Sequence, residues 1–514
     1  MTNIKDISQY ITLHSKKNGK KIAIIFEDKK ITYAKLEKFI STLSNSFKTM
    51  GIKEEDRIAV VLSNCLEFVY ILFAAARVGA TVVPYNISIP VETMKNNFKY
   101  TRINYLVGWH KVITKLYKKK NTEKIIKKRN TIVVGASSKE FISFDRLIKS
   151  KQNITSSRNS KNMLNKNYLI ALTSGSTGKP KPIVLNQKTK VLRSLYTKKL
   201  YKLNNKSIIL ASTPLYHTLA QRLIILPLIL GATSVILSGF SVKKWCEVVK
   251  KNKVSFSILV SSQIENLINY NLNIFEKLKS LKTIVSSSAT LEKSVKKKII
   301  KLKFPKFFEI YGTSEVAGIT NKKINGSFEK MNSVGKGCKY ASIKIINDKK
   351  EFLKPGREGE IICKTPTIFS GYFNNSYETK KNFYKGYFKT GDIGYLDKEN
   401  YLYFLSRKKN IIIVGGINVY PEDIENCINS NYKIKKCYAF GIKDNTLGEK
   451  IVAAIIPKEK NIKEIDLKNY CLKNLADFQQ PHYYYFVDKF PKNSLGKIER
   501  SNLKENFLYN FKNS

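Results

Sequence analysis

The stretch Thr173 to Lys181, TSGSTGKPK, concentrates residue types that can hold an anion. Thr173, Ser174, Ser176 and Thr177 carry hydroxyl donors, and Lys179 and Lys181 carry positive charge. Gly175 and Gly178 let backbone amides approach a ligand with no side chain in the way. Such a set suits a polyphosphate. It is not the P-loop of the common nucleotide hydrolases, which has a longer gap between its glycines and a Ser or Thr directly after its lysine. Here Pro180 follows Lys179 and opposes a helix start at that point. A solvated turn of small residues with two chance lysines is the competing explanation.

Four further stretches resist explanation as packing: PLYHT at Pro214 to Thr218, YGTSE at Tyr311 to Glu315, KTGDIG at Lys389 to Gly394, and PKNSLGKIER at Pro491 to Arg500. Each has a plain alternative. His217 could be a satisfied core histidine, Lys497 one more surface lysine, KTGDIG a tight turn, and the Gly415-Gly416 pair a simple β-turn.

The elements around these stretches alternate. Tyr168 to Leu172 and Ile183 to Leu185 read as buried strands on either side of the loop. Upstream, Ala34 to Met50 reads as an amphipathic helix ended by Gly51, Asp56 to Leu62 as a strand, Cys65 to Val78 as a helix, and Ala80 to Pro84 as a strand. The same grammar returns at Ser207 to Leu210, Val254 to Val260, and Thr283 to Val285 followed by Leu291 to Leu302. This predicts parallel sheet with helices on its faces. From about Ser333 the texture turns to short strands, as in SIKIIN, GEIICK and YLYFLSR, which predicts a β-rich subdomain. Beyond Lys409 come a helix over Tyr420 to Ser430, strands over Tyr438 to Ile442 and Val452 to Ile456, and a helix over Leu467 to Leu475. The predicted fold class is α/β: a large N-terminal domain of stacked α/β subdomains with a β-rich part, residues 1–408, and a small mobile α+β C-terminal domain, residues 409–514.

The chain has 514 residues, 43% of them apolar, enough for large cores in more than one domain. Its 92 Lys and Arg against 39 Asp and Glu leave +53, a field that attracts nucleic acid or anionic membrane. The lysines are spread over the whole chain, however, and no zinc-finger spacing, RNA-recognition signature or basic-zipper heptad accompanies them, so no specific nucleic-acid partner is predicted. The densest basic run, Lys115 to Arg129, reads as a solvated helix face. The seven cysteines occur singly, which fits a reduced, cytoplasmic setting and no structural zinc. The start, MTNIKDISQYITLHSKKNGK, lacks a signal-peptide core. Leu223 to Val242 carries no charge, but Pro227, Gly231 and Gly239 interrupt it, so a buried helix-turn-strand is expected rather than a membrane span. Peripheral membrane contact stays open.

In this order, the loop and the four stretches resemble the motifs of the adenylate-forming superfamily, which includes AMP-dependent acyl-CoA synthetases, carrier-loading adenylation domains and luciferase-type enzymes. The resemblance runs from about Ile31 to Leu503. It implies ATP, Mg²⁺ and coenzyme A as cofactors and a small carboxylic acid as substrate. By that resemblance Thr173 to Lys181 hold the β- and γ-phosphates, Tyr311 and Gly312 lie against adenine with Ser288 and Ala289 beside it, and Ser314 contacts the α-phosphate. Glu315 ligates Mg²⁺, as a hard cation prefers carboxylate oxygen. Asp392 takes the ribose hydroxyls, Arg407 reaches the ribose and phosphate side, and His217 lies near the acyl pocket and thiol route. Lys409 is the hinge of a rotating C-terminal domain, and Gly415 and Gly416 line the pantetheine tunnel. Lys497 offsets the repulsion between an attacking carboxylate and an anionic α-phosphate.

Departures are few. Lys409 stands where Asp is more usual, Ser287-Ser288-Ala289 where Gly-Gly-Ala is frequent, Tyr387 where Trp is frequent, and Ser314 where Thr is frequent; no catalytic group is lost. The reading that results is an ATP-dependent acid–thiol ligase. A free-standing enzyme that loads a carrier protein is the nearest rival, and the stretch after His217 lacks the acidic residue typical of pockets for amino acids. A catalytically silent polyanion- or membrane-binding scaffold is the rival from another class. Substitution of Lys497 discriminates: Lys497→Ala lowers acyl-AMP formation by about 10²-fold or more, whereas thioester formation from supplied acyl-AMP largely survives. Quenched-flow assays of the two half-reactions check this, and equal loss of both counts against the assignment.

Overall fold

Short β-branched and apolar runs separated by amphipathic helices build two large, mainly parallel sheets. The computed structural model describes residues 4–513 apart from 137, 151–161, 174–180, 303–304, 325–329, 460–461 and 493–497. The chain divides into two compact units, one of residues 1–331, 338–341 and 364–383, the other of residues 332–337, 342–363 and 384–514.

In the first unit, one sheet runs in the order Gly371–Tyr372, Lys181–Asn186, Asn167–Thr173, Thr81–Pro84, Arg57–Val61, Tyr105–Trp109, Thr131–Val134, Ile142–Ser143. All its pairings are parallel except the two at the first edge, where Asn167–Thr173 turns back antiparallel on Lys181–Asn186 and Gly371–Tyr372 pairs Ile183 and Val184. A second sheet carries Ile22–Phe26, Thr233–Ile236, Ile208–Ala211, Phe256–Val260, Thr283–Ser287 and Lys306–Glu309 as adjacent parallel strands. The helix Leu66–Val78 is buried at every position but Glu67 and Arg77, and Thr218–Leu230 is nearly as deeply enclosed. Helices apolar on all sides need a covering on all sides, which is why both lie in the interior. The uncharged stretch expected to be helix-turn-strand is that: Pro227 ends in the last turn of Thr218–Leu230, Gly231 takes φ +68°, and Thr233–Ile236 follows. Among the described residues no helix is long and apolar enough to cross a membrane.

The second unit holds Gly359–Lys364, Tyr387–Leu396 and Tyr401–Arg407 as antiparallel neighbours. Its other sheet contains Ile412–Val414, Ile417–Val419, the long hairpin Ile434–Asp444 with Gly448–Pro457, and Tyr483–Phe486. Helices Pro421–Asn429 and Glu464–Asn474 cover one core of this sheet through Ile424, Ile428, Leu467 and Cys471, and Leu503 and Phe507 of Arg500–Asn513 cover a second.

Two expectations are corrected. KTGDIG is not a tight turn: it lies within the continuous strand Tyr387–Leu396, where Gly391 at φ +71° and a register shift between Ile393 and Gly394 bend the ladder without ending it. The run Lys115 to Arg129 is not one helix. His110–Tyr117 stops, Asn121 takes φ +67°, and the chain resumes as the short helix Thr122–Ile125, because Leu116 and Ile126 must both turn inward.

One buried side chain ties the two parallel sheets of the first unit at the mouth of their strands. Asn64, just after Arg57–Val61, donates to the carbonyls of Thr213 at 3.1 Å and Leu237 at 2.7 Å and accepts from the amide of Leu215 at 2.7 Å. Three bonds through one amide fix the start of the PLYHT segment. Asn64→Ala strands three buried backbone groups and is expected to cost about 3 kcal/mol, read as a lower urea midpoint with unchanged slope.

Candidate active site

The chemistry of the first unit gathers around a tyrosine that the sequence reading did not single out. Strand Gly371–Tyr372 lies beside Lys181–Asn186, so Tyr372 sits where the phosphate-type loop re-enters the sheet. The Tyr372 hydroxyl donates to Glu315 Oε1 at 3.2 Å, and Lys181 Nζ stands 5.9 Å from the centre of its ring. Lys181 is itself paired with Glu378 at 2.6 Å. Lys181 and Glu315, far apart in sequence, are thereby brought to one side chain. The phenol is held well above its usual range by burial and by the Glu315 carboxylate, so it stays a neutral donor. Only the short sequence Ser370-Gly371-Tyr372 after an apolar strand-like run could have hinted at it. Ser174, Gly175, Ser176, Thr177, Gly178 and Lys179 lie outside the described residues, as does Lys497, and of Thr173 only the strand position is described.

Glu315 belongs to a tight hairpin. Gly312–Thr313 pairs Ala317–Gly318, and a Cβ at Gly312 would collide with the Ala317 carbonyl, so the motif requires glycine there. Tyr311 anchors the hairpin from behind, accepting from the amides of Ile319 at 2.8 Å and Thr320 at 3.2 Å. The whole turn hangs on Arg193, a buried residue of helix Gln187–Tyr201. Its Nη2 donates to the carbonyls of Ser314 at 3.1 Å and Glu315 at 2.8 Å, and its Nε to the Thr367 carbonyl at 2.9 Å. Arg193 was also missed, since a lone arginine on a helix in a basic chain carries no sequence signal.

The residues present suit a divalent cation. Glu315 forms no salt bridge among the described residues, its carboxylate being held by a neutral phenol, and the adjacent Thr313 hydroxyl is shielded from solvent without a partner. A hard-oxygen ligand and a spare hydroxyl are what a magnesium–phosphate complex takes up. Ser288 and Ala289 lie exposed just past strand Thr283–Ser287, and Ser288 holds φ +82°. That conformation costs a serine about 1–2 kcal/mol and a glycine next to nothing. His217 caps helix Thr218–Leu230 through its backbone, its ring 4.4 Å from that of Tyr216.

In the second unit Asp392 and Arg407 face each other across adjacent strands, Nε to Oδ1 at 2.9 Å. Asp392 is 1% exposed whereas the Arg407 side chain is 43% exposed, so the pair presents its guanidinium outward. Lys409 lies in the 3₁₀ turn Lys408–Asn410, next to Lys408, which pairs with Asp348 at 2.8 Å. Gly415 at φ +56° and Gly416 at φ +82° form the two-residue turn between Ile412–Val414 and Ile417–Val419. On either side of residues 493–497, Lys492 bridges to Ile498 and the Glu499 amide donates to the Pro491 carbonyl at 3.0 Å. Directly after it, Arg500 pairs with Glu425 at 2.6 Å.

A carboxylate held by a neutral phenol, beside the end of a hydroxyl- and glycine-rich loop on parallel α/β sheet, suits a nucleotide-dependent group-transfer enzyme. The chain belongs to the AMP-binding enzyme family: the AMP-binding enzyme model matches residues 12–373 and the AMP-binding enzyme C-terminal domain model matches residues 423–497. Among curated proteins it is similar to the indoleacetate–CoA ligase of Aromatoleum aromaticum, 26% identical with 97% of this chain and 98% of that one covered. It is similar also to the 2-succinylbenzoate–CoA ligase of Bacillus subtilis, 25% identical over 94% of this chain and 95% of that one. The solved structure of the Bacillus subtilis o-succinylbenzoate coenzyme A synthetase with ATP and magnesium superposes with a TM-score of 0.85 at 24% identity, covering 96% and 99% of the chains.

Arg193 sets the position of Glu315 through the backbone carbonyls of Ser314 and Glu315 that it bonds. In Arg193→Lys, which cannot serve three carbonyls in one plane, the magnesium concentration for half-maximal pyrophosphate release rises and kcat/KM falls about 10²-fold. An unchanged magnesium requirement would show that the hairpin holds itself.

Proposed function

We propose that this enzyme joins a small carboxylic acid to coenzyme A at the expense of ATP. The observation that carries this reading is the meeting of Lys181 and Glu315 at Tyr372, which couples the end of the phosphate-type loop to a carboxylate able to take magnesium. In the first step an oxygen of the acid attacks the α-phosphorus, the bond to the bridging oxygen breaks, and pyrophosphate leaves. In the second the coenzyme A sulfur attacks the acyl carbon, its proton is lost, and AMP leaves. Magnesium, when bound, neutralises charge developing on the departing pyrophosphate.

The assignments to this chain's own residues follow the family resemblance. Residues 173–181 hold the outer phosphates, with Lys181 kept oriented by Glu378. Tyr311, Gly312, Ser288 and Ala289 frame the adenine, and Ser314 donates to the α-phosphate. Asp392 and Arg407 address the ribose side, the acid neutralised in part by the guanidinium until hydroxyl donors arrive. Lys497 stands between the two reacting oxygens, and His217 lies by the acyl group. For the thiol step, rotation of residues 409–514 about Lys409 against 1–408 brings Gly415 and Gly416 to the pantetheine arm. We assign the enzyme to the cytoplasm, where ATP and coenzyme A are both at hand.

The test is mass spectrometry of the purified protein with ATP, Mg²⁺ and a pool of carboxylic acids, with and without coenzyme A. An acyl-CoA product, lost on chelation by EDTA and reduced about 10²-fold or more in Glu315→Gln, is expected. An adenylate that persists in the presence of coenzyme A transfers the second step to a carrier protein. No adenylate from any acid overturns the reading.

A further inference from the structure

Glu309 closes the strand Lys306–Glu309, two residues before Tyr311, and is 2% exposed. A carboxylate at that depth is costly unless something meets it. Lys296, equally buried on helix Lys293–Ile300, meets it with Nζ 2.7 Å from Oε2. Lys322 stands opposite Glu309 in the antiparallel pairing with strand Thr320–Lys323, where burial and the nearby Lys296 lower its ammonium to about 8. Both lysines also donate to backbone, Lys296 to the Met331 carbonyl at 3.2 Å and Lys322 to the Lys330 carbonyl.

Apolar residues of similar volume can replace a buried ion pair with little or no loss of stability, so stability alone does not account for this one. What apolar residues cannot do is accept a hydrogen bond. Glu309 Oε1 accepts from the amide of Leu291 at 3.0 Å. The carboxylate therefore has two tasks, one for each oxygen: Oε2 meets the lysine, and Oε1 holds a backbone group 18 residues upstream.

Leu291 is where the chain returns to the interior after Ser288, Ala289 and Thr290, three exposed residues that follow strand Thr283–Ser287. The near end of this bend is held by sheet. Ser286 pairs with Glu309 in the parallel ladder, and its carbonyl accepts from the Ile310 amide at 3.0 Å. Past Ser287 the strand stops, and the far end is held by Glu309, directly through Leu291 and again through Lys296 in the helix that follows. Ser288 keeps its φ of +82° inside this bend, a conformation that persists only where the surroundings fix both ends. The bend and Tyr311, assigned above to the adenine, are thus referred to one carboxylate.

We propose that Glu309, with Lys296 offsetting its charge, is a positioning residue for the nucleotide: through the Leu291 amide it holds Ser288 and Ala289 at the spacing from Tyr311 that receives the base. This rests on the ligase reading above and on its adenine site. Loss of the bond frees one wall of that site, so that ordering the wall must be repeated at each binding event. The Glu315 hairpin keeps its own support from Arg193.

The test is calorimetric titration of AMP, a probe that needs no acid substrate, into the full-length protein and three variants. The first, Lys296→Gln with Glu309→Gln, removes both charges and keeps a side-chain oxygen for the Leu291 amide. The second, Lys296→Met with Glu309→Leu, removes the charges and the acceptor. The third, Leu291→Pro, removes the donor and keeps both charges. AMP affinity within about threefold of native is expected in the first variant, and affinity at least about tenfold weaker in the second and third. Urea midpoints report the fold of each, and if the second variant does not fold, Leu291→Pro decides. AMP bound by a folded second or third variant as tightly as by the native protein overturns the proposal. So does an equal loss in the first and second, since the charges and not the bond would then be the cause. Either result leaves the ligase reading standing as long as the native protein binds AMP; a native protein that does not bind AMP removes both.

Discussion

The Glu315 site depends on one guanidinium with no charged partner of its own. Arg193 bonds three carbonyls that lie 121 to 174 residues away along the chain, joining helix Gln187–Tyr201, the Glu315 hairpin and the segment leading to Tyr372. Carbonyls are the right acceptors for this task. A carboxylate would neutralise the arginine but would also place a second negative charge beside Glu315, at a site proposed to admit polyphosphate. The bonds cost the protein a buried cation, and their return is a carboxylate fixed in place without being occupied by a lysine.

The same reasoning orders the rest of the first unit. Glu315 is steadied by a neutral phenol and by no salt bridge among the described residues. Lys181 is steadied by Glu378, so that a flexible side chain is already oriented before any anion arrives. Asn64 holds the entrance of the PLYHT segment by three bonds to backbone, and backbone is what a substitution elsewhere cannot remove. In each case the functional group is held by something that does not consume the property it needs.

The +53 charge takes on a different meaning in this light. Most lysines lie on exposed faces, and the ones drawn inside are paired or bonded to carbonyls. The buried neighbours Lys190 and Arg193, with the partly exposed Arg222 beside them, stand apart because three cations lie together close to the Glu315 hairpin. A general bias toward lysine explains the surface and leaves this cluster unexplained.

The amino-acid sequence alone settled the α/β layout, because period-2 and period-3.6 apolar patterns act within one element and need no partner to be legible. It also marked the phosphate-type loop, the Glu315 hairpin and the Asp392 strand, whose residue types are improbable as packing, although it took KTGDIG for a turn where cross-strand bonding keeps it a strand. Only the tertiary structure revealed Tyr372, Arg193 and Asn64. Each is a single side chain whose role lies in what it touches more than fifty residues away along the chain. No local pattern can encode that. The pairing of Asp392 with Arg407 lies between these extremes: both were marked by type, but their 2.9 Å contact exists because a particular strand register sets one opposite the other. Register is a property of two strands together, and a one-residue slip would have turned the two side chains to opposite faces.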